Sequence, residues 1–343
     1  NPDQMVMSFS ELPYLEGVVC SHRTAQVFPD TAAGTVTGQA TYQFKNTSGR
    51  KQTVAFGITP GYAVSSVRAN GVDAPFSLGD YQEYNEAMLQ AVIPSDEDVE
   101  LSVEYGGFPQ ESRSLSSMQG GKEISTEYLC LENADLSPRL LNVMPEEGAY
   151  ASTFEITLPG SMTVIPFGSG EAEIIAKHKD GTATWRYEDD SVGGILYAGD
   201  YIRQDIEAGG ITIQFYYGRK HRAVMESAGA VNAVKAVVDY CTEHYGSLSF
   251  CADGTLKLIQ SRVTGGGYAT GGASLLDEAD FTAVNLDDSR KGAIAGEVMI
   301  HELVHQWWGL GNMFDTADGT SPWSAEGLTV YTTYRIVKEL YGE

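Results

Sequence analysis

His301-Glu302-Leu303-Val304-His305 reads H-E-x-x-H. It lies in a run from Ala293 to Trp308 that has no proline and carries Ile294, Val298, His301, His305 and Trp308 at helical spacing. On a helix, residues four apart sit one above the other, so the imidazoles of His301 and His305 converge on one point. Such a pair suits zinc, which takes neutral imidazole nitrogen at about 2.0–2.1 Å, prefers a tetrahedral shell, and in a catalytic site needs a third protein ligand beside a water. Glu302 lies about 100° further round the helix, beside that point rather than on it. There a carboxylate can take the proton of an attacking water. Two buried, hydrogen-bonded histidines on an ordinary amphipathic helix are the alternative reading of the same residues.

Beyond the motif the chain breaks at Gly309 and Gly311, passes through a polar loop around Met313 to Thr320, and restarts at Ser321-Pro322. Those two residues read as an N-cap followed by proline at the first helical position. The new helix carries Trp323-Ser324-Ala325-Glu326-Gly327, with Glu326 expected on the face of Val330 and Val337. A carboxylate on an apolar face requires a partner, either a metal ion or a buried cation.

H-E-L-V-H-Q-W-W-G followed by W-S-A-E-G-L-T-V-Y resembles the gluzincin metallopeptidases of the aminopeptidase N and leukotriene hydrolase family. The resemblance implies that His301, His305 and Glu326 hold one zinc ion, that Glu302 is the general base, and that the activity is zinc-dependent, aminopeptidase-like hydrolysis of peptides. The family usually spaces its second histidine and its glutamate two residues more closely than the twenty (306–325) found here. The extra residues are expected in the loop around 313–320.

The 343 residues allow two or three domains with sizeable cores. No run approaches the ~18 apolar residues of a membrane helix, and no signal peptide opens the chain. Asn1 is not an initiator methionine and the last helix stops soon after its ligand Glu326, so the expectation is a portion of a longer polypeptide. The resemblance implies a bacterial parent with a membrane-spanning region and an extracytoplasmic location, a cytoplasmic one being the alternative. The net charge of −24 is uneven, with 30 of the 46 acidic and 12 of the 22 basic side chains within residues 1–210. Such a surface disfavours nucleic acid and anionic membranes as partners, and no basic patch with interleaved aromatics appears. The four cysteines, Cys20, Cys130, Cys241 and Cys251, show no C-x-x-C and imply no structural zinc site. Cys241 continues the stripe Val231, Val234, Val238 and reads as a small core residue.

Strand patterns dominate the first part. Val36, Gly38, Ala40, Tyr42 and Phe44 alternate with polar neighbours up to the turn at Asn46–Gly49. Leu101, Val103 and Tyr105 do the same, as do Phe154, Ile156 and Leu158. Each reads as a half-buried antiparallel strand, and together they predict an all-β, sandwich-like domain over residues 1–208. The resemblance adds a saddle-like shape, ending in a segment similar to Leu196-Tyr-Ala-Gly-Asp-Tyr201. Glu132, in the segment Tyr128 to Asn133, is a candidate acidic group for the substrate cleft.

The composition shifts at Gly209-Gly210, where the second domain, 209–343, is expected to begin. A strand at Ile211 to Tyr217 leads into a helix from His221 to Tyr245, stopped at Gly246, and Thr255 to Ser261 is a further strand. The fold class is therefore multidomain α+β, and the resemblance makes the second domain the first part of a thermolysin-like zinc peptidase domain. The glycine cluster Gly265 to Gly272 is not a phosphate loop, because no Lys-Ser/Thr follows Gly271 and the spacing is not G-x-G-x-x-G. It reads as a tight turn beside a sheet edge. The resemblance instead places there the family's G-A-M-E-N-x-G segment, which makes Gly266, Gly267, Tyr268, Ala269 and Thr270 the residues that bind substrate. The glutamate that holds a free amino group in the family falls on Ala269.

The family also uses a tyrosine well after the third ligand as an oxyanion donor. Only 17 residues follow Glu326, and Tyr331 and Tyr334 read as packing residues. That tyrosine is thus expected beyond Glu343, and the chain by itself is expected to hydrolyse peptides poorly. The absence of the amine-binding glutamate keeps open a zinc-binding but inactive peptide-recognition or sensor module, and a β-domain protein with a vestigial metal site.

Overall fold

The computed structural model describes residues 12–81, 86–110, 123–146, 151–167, 170–189, 195–248, 254–262, 267–281, 297–312 and 322–342. These residues form two compact units whose main division falls between Gly199 and Asp200.

The first unit is built of sheets. Its largest runs in the order Glu173–Lys177, Thr182–Asp189, Ser152–Pro159, Val18–Asp30, Thr35–Asn46, Asp98–Gly107, Tyr62–Ala69 and Val72–Asp73, with Met144–Pro145 also on Val18–Asp30. Two four-stranded sheets, one containing Tyr128–Glu132 and the other Gln52–Ile58, share one hydrophobic core with it. The period-2 reading holds strand by strand. Ala40 and Tyr42 lie opposite Val103 and Leu101 in register, and all four are buried. Gly38 falls where the alternation calls for a buried side chain, and the ring of its partner Tyr105 fills the space, 2.5 Å from where a Cβ would stand. One expectation is corrected. Ser152–Pro159 is antiparallel to Thr182–Asp189 but parallel to Val18–Asp30, a pairing that the long intervening chain permits.

The second unit is a five-stranded sheet in the order Tyr201–Ala208, Ile211–Gly218, Thr255–Ser261, Ala273–Asp277, Gly267–Thr270. The three middle strands are parallel and the two outer ones antiparallel to their neighbours. Four α-helices are described: α1 (Arg222–Ala228), α2 (Ala230–Tyr245), α3 (Glu297–Val304) and α4 (Glu326–Tyr341). Gly209 and Gly210 do not open the second unit. Both have positive φ, 57° and 80°, and form a two-residue turn joining Tyr201–Ala208 to Ile211–Gly218. Gly-Gly between two strand patterns is a hairpin signal, so the strand before it belongs to the second unit and the division lies near 199 rather than 208. The helix expected over 221–245 is broken at Gly229, which takes the left-handed conformation at φ 67°. Val234, Val237, Val238 and Cys241 of α2 pack with Met299, Ile300, Leu303 and Val304 of α3 and with Phe215, Leu256 and Leu258 of the sheet in one core.

Candidate metal centre

Burial of Met299, Ile300, Leu303 and Val304 fixes the rotation of α3. His301 and His305 are thereby turned to the adjoining face. The expected start at Ala293 lies outside the described residues. After Val304 the last turn tightens. His305 N–H still reaches His301 O at 3.1 Å, whereas Gln306 and Trp307 donate three residues back, to Leu303 O at 3.1 Å and Val304 O at 2.9 Å. Trp307 Nε1 donates to Gly246 O at 2.7 Å and ties this end of α3 to the end of α2. Gly309, at φ 90°, turns the chain away, and a Cβ there would lie 2.9 Å from Ala325 Cβ. Only glycine meets both demands, and the close approach sets Glu326, the first residue of α4, beside the histidines.

His301 Nε2 and His305 Nε2 are 3.0 Å apart, and Glu326 Oε2 and Oε1 lie 3.3 Å and 3.5 Å from them respectively. A tetrahedral ion with bonds of about 2.0–2.1 Å has ligand–ligand edges of about 3.3–3.4 Å, so the three residues bring donor atoms to about the spacing of one zinc shell. His305 Nδ1 lies 3.2 Å from Trp308 O and 3.3 Å from Thr329 Oγ1. A carbonyl only accepts, so Nδ1 carries the proton and Nε2 offers its lone pair to the shared point. Burial, and then the neighbouring His305, lower the pKa of His301 and favour its neutral, metal-binding form. The site is graded in exposure, with His305 13%, His301 22% and Glu326 57% exposed at their side chains. One side of it is open to solvent.

Glu302 is buried. Its surroundings, and then the charge of Glu326, push its pKa up to about 8. Against it lies the edge strand Gly267–Thr270. A Cβ on Gly267 would stand 2.2 Å from Glu302 Cγ and 2.8 Å from Oε1, so the strand can lie this close only because position 267 has no side chain. Ala269, two residues on, shares the face turned toward Glu302, as the strand period requires. Ser274 Oγ of the adjoining strand donates to Glu302 O at 3.0 Å.

The residues singled out from the sequence therefore fall into two neighbouring groups, the triangle of His301, His305 and Glu326 with Glu302 beside it, and the edge strand. Gly266 and the loop 313–321 lie outside the described residues. Within the glycine cluster, expected as a turn, Gly267–Thr270 is a strand closed by a turn at Gly271-Gly272. The reason given for Glu326 is corrected, because it stands on a solvated face and Val330 is exposed too. Its place at the start of α4 beside Gly309, not burial, brings it to the histidines. α4 is preceded by a 3₁₀ turn at Pro322–Ser324 rather than starting at the proline. Tyr331 and Tyr334 are exposed rather than packed. Glu132 is buried in the first unit, where Cys130 Sγ donates to its Oε1 at 3.9 Å. Cys20, Cys130 and Cys241 are free buried thiols, and Cys251 is outside the described residues. Sequence reasoning passed over Gln306 and Thr329. Gln306 follows Met299 and Leu303 at core spacing, and a polar residue on such a stripe is the signal that could have found it.

No family model and no curated protein matches the sequence. Solved structures match its fold. An M1 zinc metallopeptidase from Deinococcus radiodurans superimposes with a TM-score of 0.56 at 16% identity, over 98% of this chain and 75% of the other. A Glu-to-Ala mutant of that enzyme with a bound Tyr-Ser-Ala substrate gives a TM-score of 0.55 at 15% identity, with the same coverage. Yeast LTA4 hydrolase in complex with bestatin gives 0.58 at 16% identity over 100% of this chain, which spans 52% of the hydrolase.

Proposed function

We infer, from a chain that has the fold of the aminopeptidase N and leukotriene A4 hydrolase family, that the protein hydrolyses peptides with one zinc ion as cofactor. His301, His305 and Glu326 are its ligands. The observation that carries this reading is the triangle of three residues, two imidazole nitrogens 3.0 Å apart with the two oxygens of one carboxylate at 3.3 Å and 3.5 Å from them, and an uncoordinated, buried carboxylate on the intervening helical position. A zinc ion held there supplies Lewis acidity toward a peptide carbonyl and toward the attacking water.

Glu302 accepts the proton of that water and passes it to the departing amine. Buried beside the metal ligands without being one of them, Glu302 stands where a single group can serve both transfers. The edge strand Gly267–Thr270 offers backbone N–H and C=O groups to a peptide in extended form, as an added strand. Gly267 keeps that strand in contact with the base. Ala269 provides no anion for a free amino group, so the substrate class extends to peptides whose N-terminus is blocked.

Metal analysis tests the ligand assignment. The protein is expected to hold one zinc per chain, with weak, chelator-sensitive cleavage of a peptide library, and His301→Ala is expected to lose the ion. Unchanged zinc in that variant would overturn the assignment. Full zinc without any cleavage would favour the peptide-recognition module instead.

A further inference from the structure

Gln306, the residue after the second histidine, is wholly buried. Its amide is fully engaged. Nε2 donates to Thr270 O at 2.8 Å, to Ala273 O at 3.2 Å and to Ser274 Oγ at 3.2 Å, and Oε1 accepts the Gly272 N–H at 3.1 Å. Every partner lies within Thr270–Ser274, the segment that closes the edge strand onto its neighbour. The Ser274 hydroxyl then donates to Glu302 O, one turn earlier on the metal helix. The edge strand is thus held at both ends of its short length, by the Gln306 amide at the turn and by the contact of Gly267 with Glu302 at the other.

The chemistry is specific to glutamine. Backbone carbonyls at 270 and 273 demand donors and the N–H at 272 demands an acceptor, and one primary amide supplies both. Glutamate would set an anionic oxygen against two carbonyls. Asparagine falls short by one carbon–carbon bond, about 1.5 Å. Methionine matches the length but gives up every hydrogen bond of the amide.

We propose that Gln306 is a positioning residue that fixes the height and register of the edge strand over the metal triangle, so that a peptide laid on Gly267 and Ala269 presents its carbonyl beside Glu302. The proposal rests on the reading of that strand as the one that holds peptide. It separates binding of an extended substrate from binding of the metal, because none of the partners of the Gln306 amide is a donor atom of the triangle.

The test compares wild type, Gln306→Met and Ser274→Ala in the full chain loaded with zinc. The readouts are zinc content, amide exchange at Gly272, and the affinities of a tripeptide hydroxamate, which spans metal and strand, and of acetohydroxamate, which needs the metal alone. Gln306→Met is expected to keep its zinc and to bind acetohydroxamate within about twofold of wild type. It should bind the tripeptide hydroxamate at least about tenfold more weakly and exchange Gly272 at least about tenfold faster, the effect of losing a buried hydrogen bond. Ser274→Ala, which keeps the bonds of Gln306 to Thr270, Gly272 and Ala273, is expected to lie between and carries the test should Gln306→Met not fold. Equal losses for both hydroxamates, or none for the tripeptide, would overturn the proposal. If wild type binds neither hydroxamate, the peptidase reading itself fails. Exchange at Gly272 then decides the clamp alone, unchanged protection refuting it.

Discussion

Gly267→Ala adds one methyl group where Glu302 already lies. The new Cβ would stand 2.2 Å from Glu302 Cγ, 2.6 Å from Cδ and 2.8 Å from Oε1. Carbon atoms rest at about 3.5–4.0 Å, so the carboxylate must retreat by roughly 1.3 Å or the edge strand must lift by as much. Position 267 is not in the left-handed region, so alanine brings no backbone strain and the whole effect is overpacking. Overpacking of this kind costs about 1–3 kcal/mol of stability. A displacement of about 1 Å at a catalytic group costs up to about 10²-fold in rate, equivalent to about 2.7 kcal/mol on the barrier. The zinc ligands are untouched, and metal content should stay at one per chain. The assay is kcat/KM on one peptide for wild type, Gly267→Ala, Glu302→Gln and the double variant, each with its zinc measured. In the double variant the alanine should add little, because it acts through the base that has already been removed. Activity of Gly267→Ala within threefold of wild type, or a full additional loss in the Glu302→Gln background, would refute the reasoning.

Two further outcomes follow from the second unit. Glu278 has His221 Nε2 at 3.6 Å, Arg262 Nε at 2.8 Å and the Lys220 ammonium around it, and together they hold its carboxyl well below the ordinary range despite partial burial. A depressed folded-state pKa contributes stability above the unfolded value of about 4.3 and loses it as the pH falls below that value. Glu278→Gln should therefore destabilise by roughly 1.5–3 kcal/mol near neutral pH. The gap to wild type in urea midpoint should narrow below about pH 4, and a gap independent of pH would contradict the ion-pair account. At the substrate end, Ala269 leaves the amino terminus without a carboxylate. The ratio of kcat/KM for a peptide with free and with acetylated N-terminus should then stay below about a hundredfold, or about 2.7 kcal/mol. A larger preference would mean that another acidic group has taken that role.

The sequence was most legible where structure is local. Alternation along Thr35–Asn46 and Asp98–Gly107 names the buried residues one by one, because each strand packs one face against a common core. H-E-x-x-H at helical spacing brings two imidazoles together whatever surrounds them. What the sequence hid is contact between distant segments. Gly267 looked like one of a run of turn glycines, and only the fold shows Glu302 in the space its side chain would take. Glu326 was reached by an argument from burial, whereas it is 57% exposed and is set in place by Gly309 passing close to Ala325. Gly209-Gly210 looked like the start of the second domain because composition changes there, yet its turn geometry binds the two flanking strands into one sheet. Gly229 lay inside the expected helix 221–245, and the apolar stripe that starts two residues later hid the left-handed break.

The most direct test of the central claim is peptide hydrolysis by Glu302→Gln compared with wild type at equal zinc content. The amide has nearly the shape of the carboxylate and ligates nothing in the triangle, so the variant should keep one zinc per chain. It cannot accept the proton of the attacking water, and the loss of a positioned base typically lowers the rate by about 10²–10⁴. The account predicts full zinc with turnover reduced at least a hundredfold. Turnover close to that of wild type, with zinc retained, would show that Glu302 is not the base and that the buried carboxylate beside His301 and His305 serves another purpose.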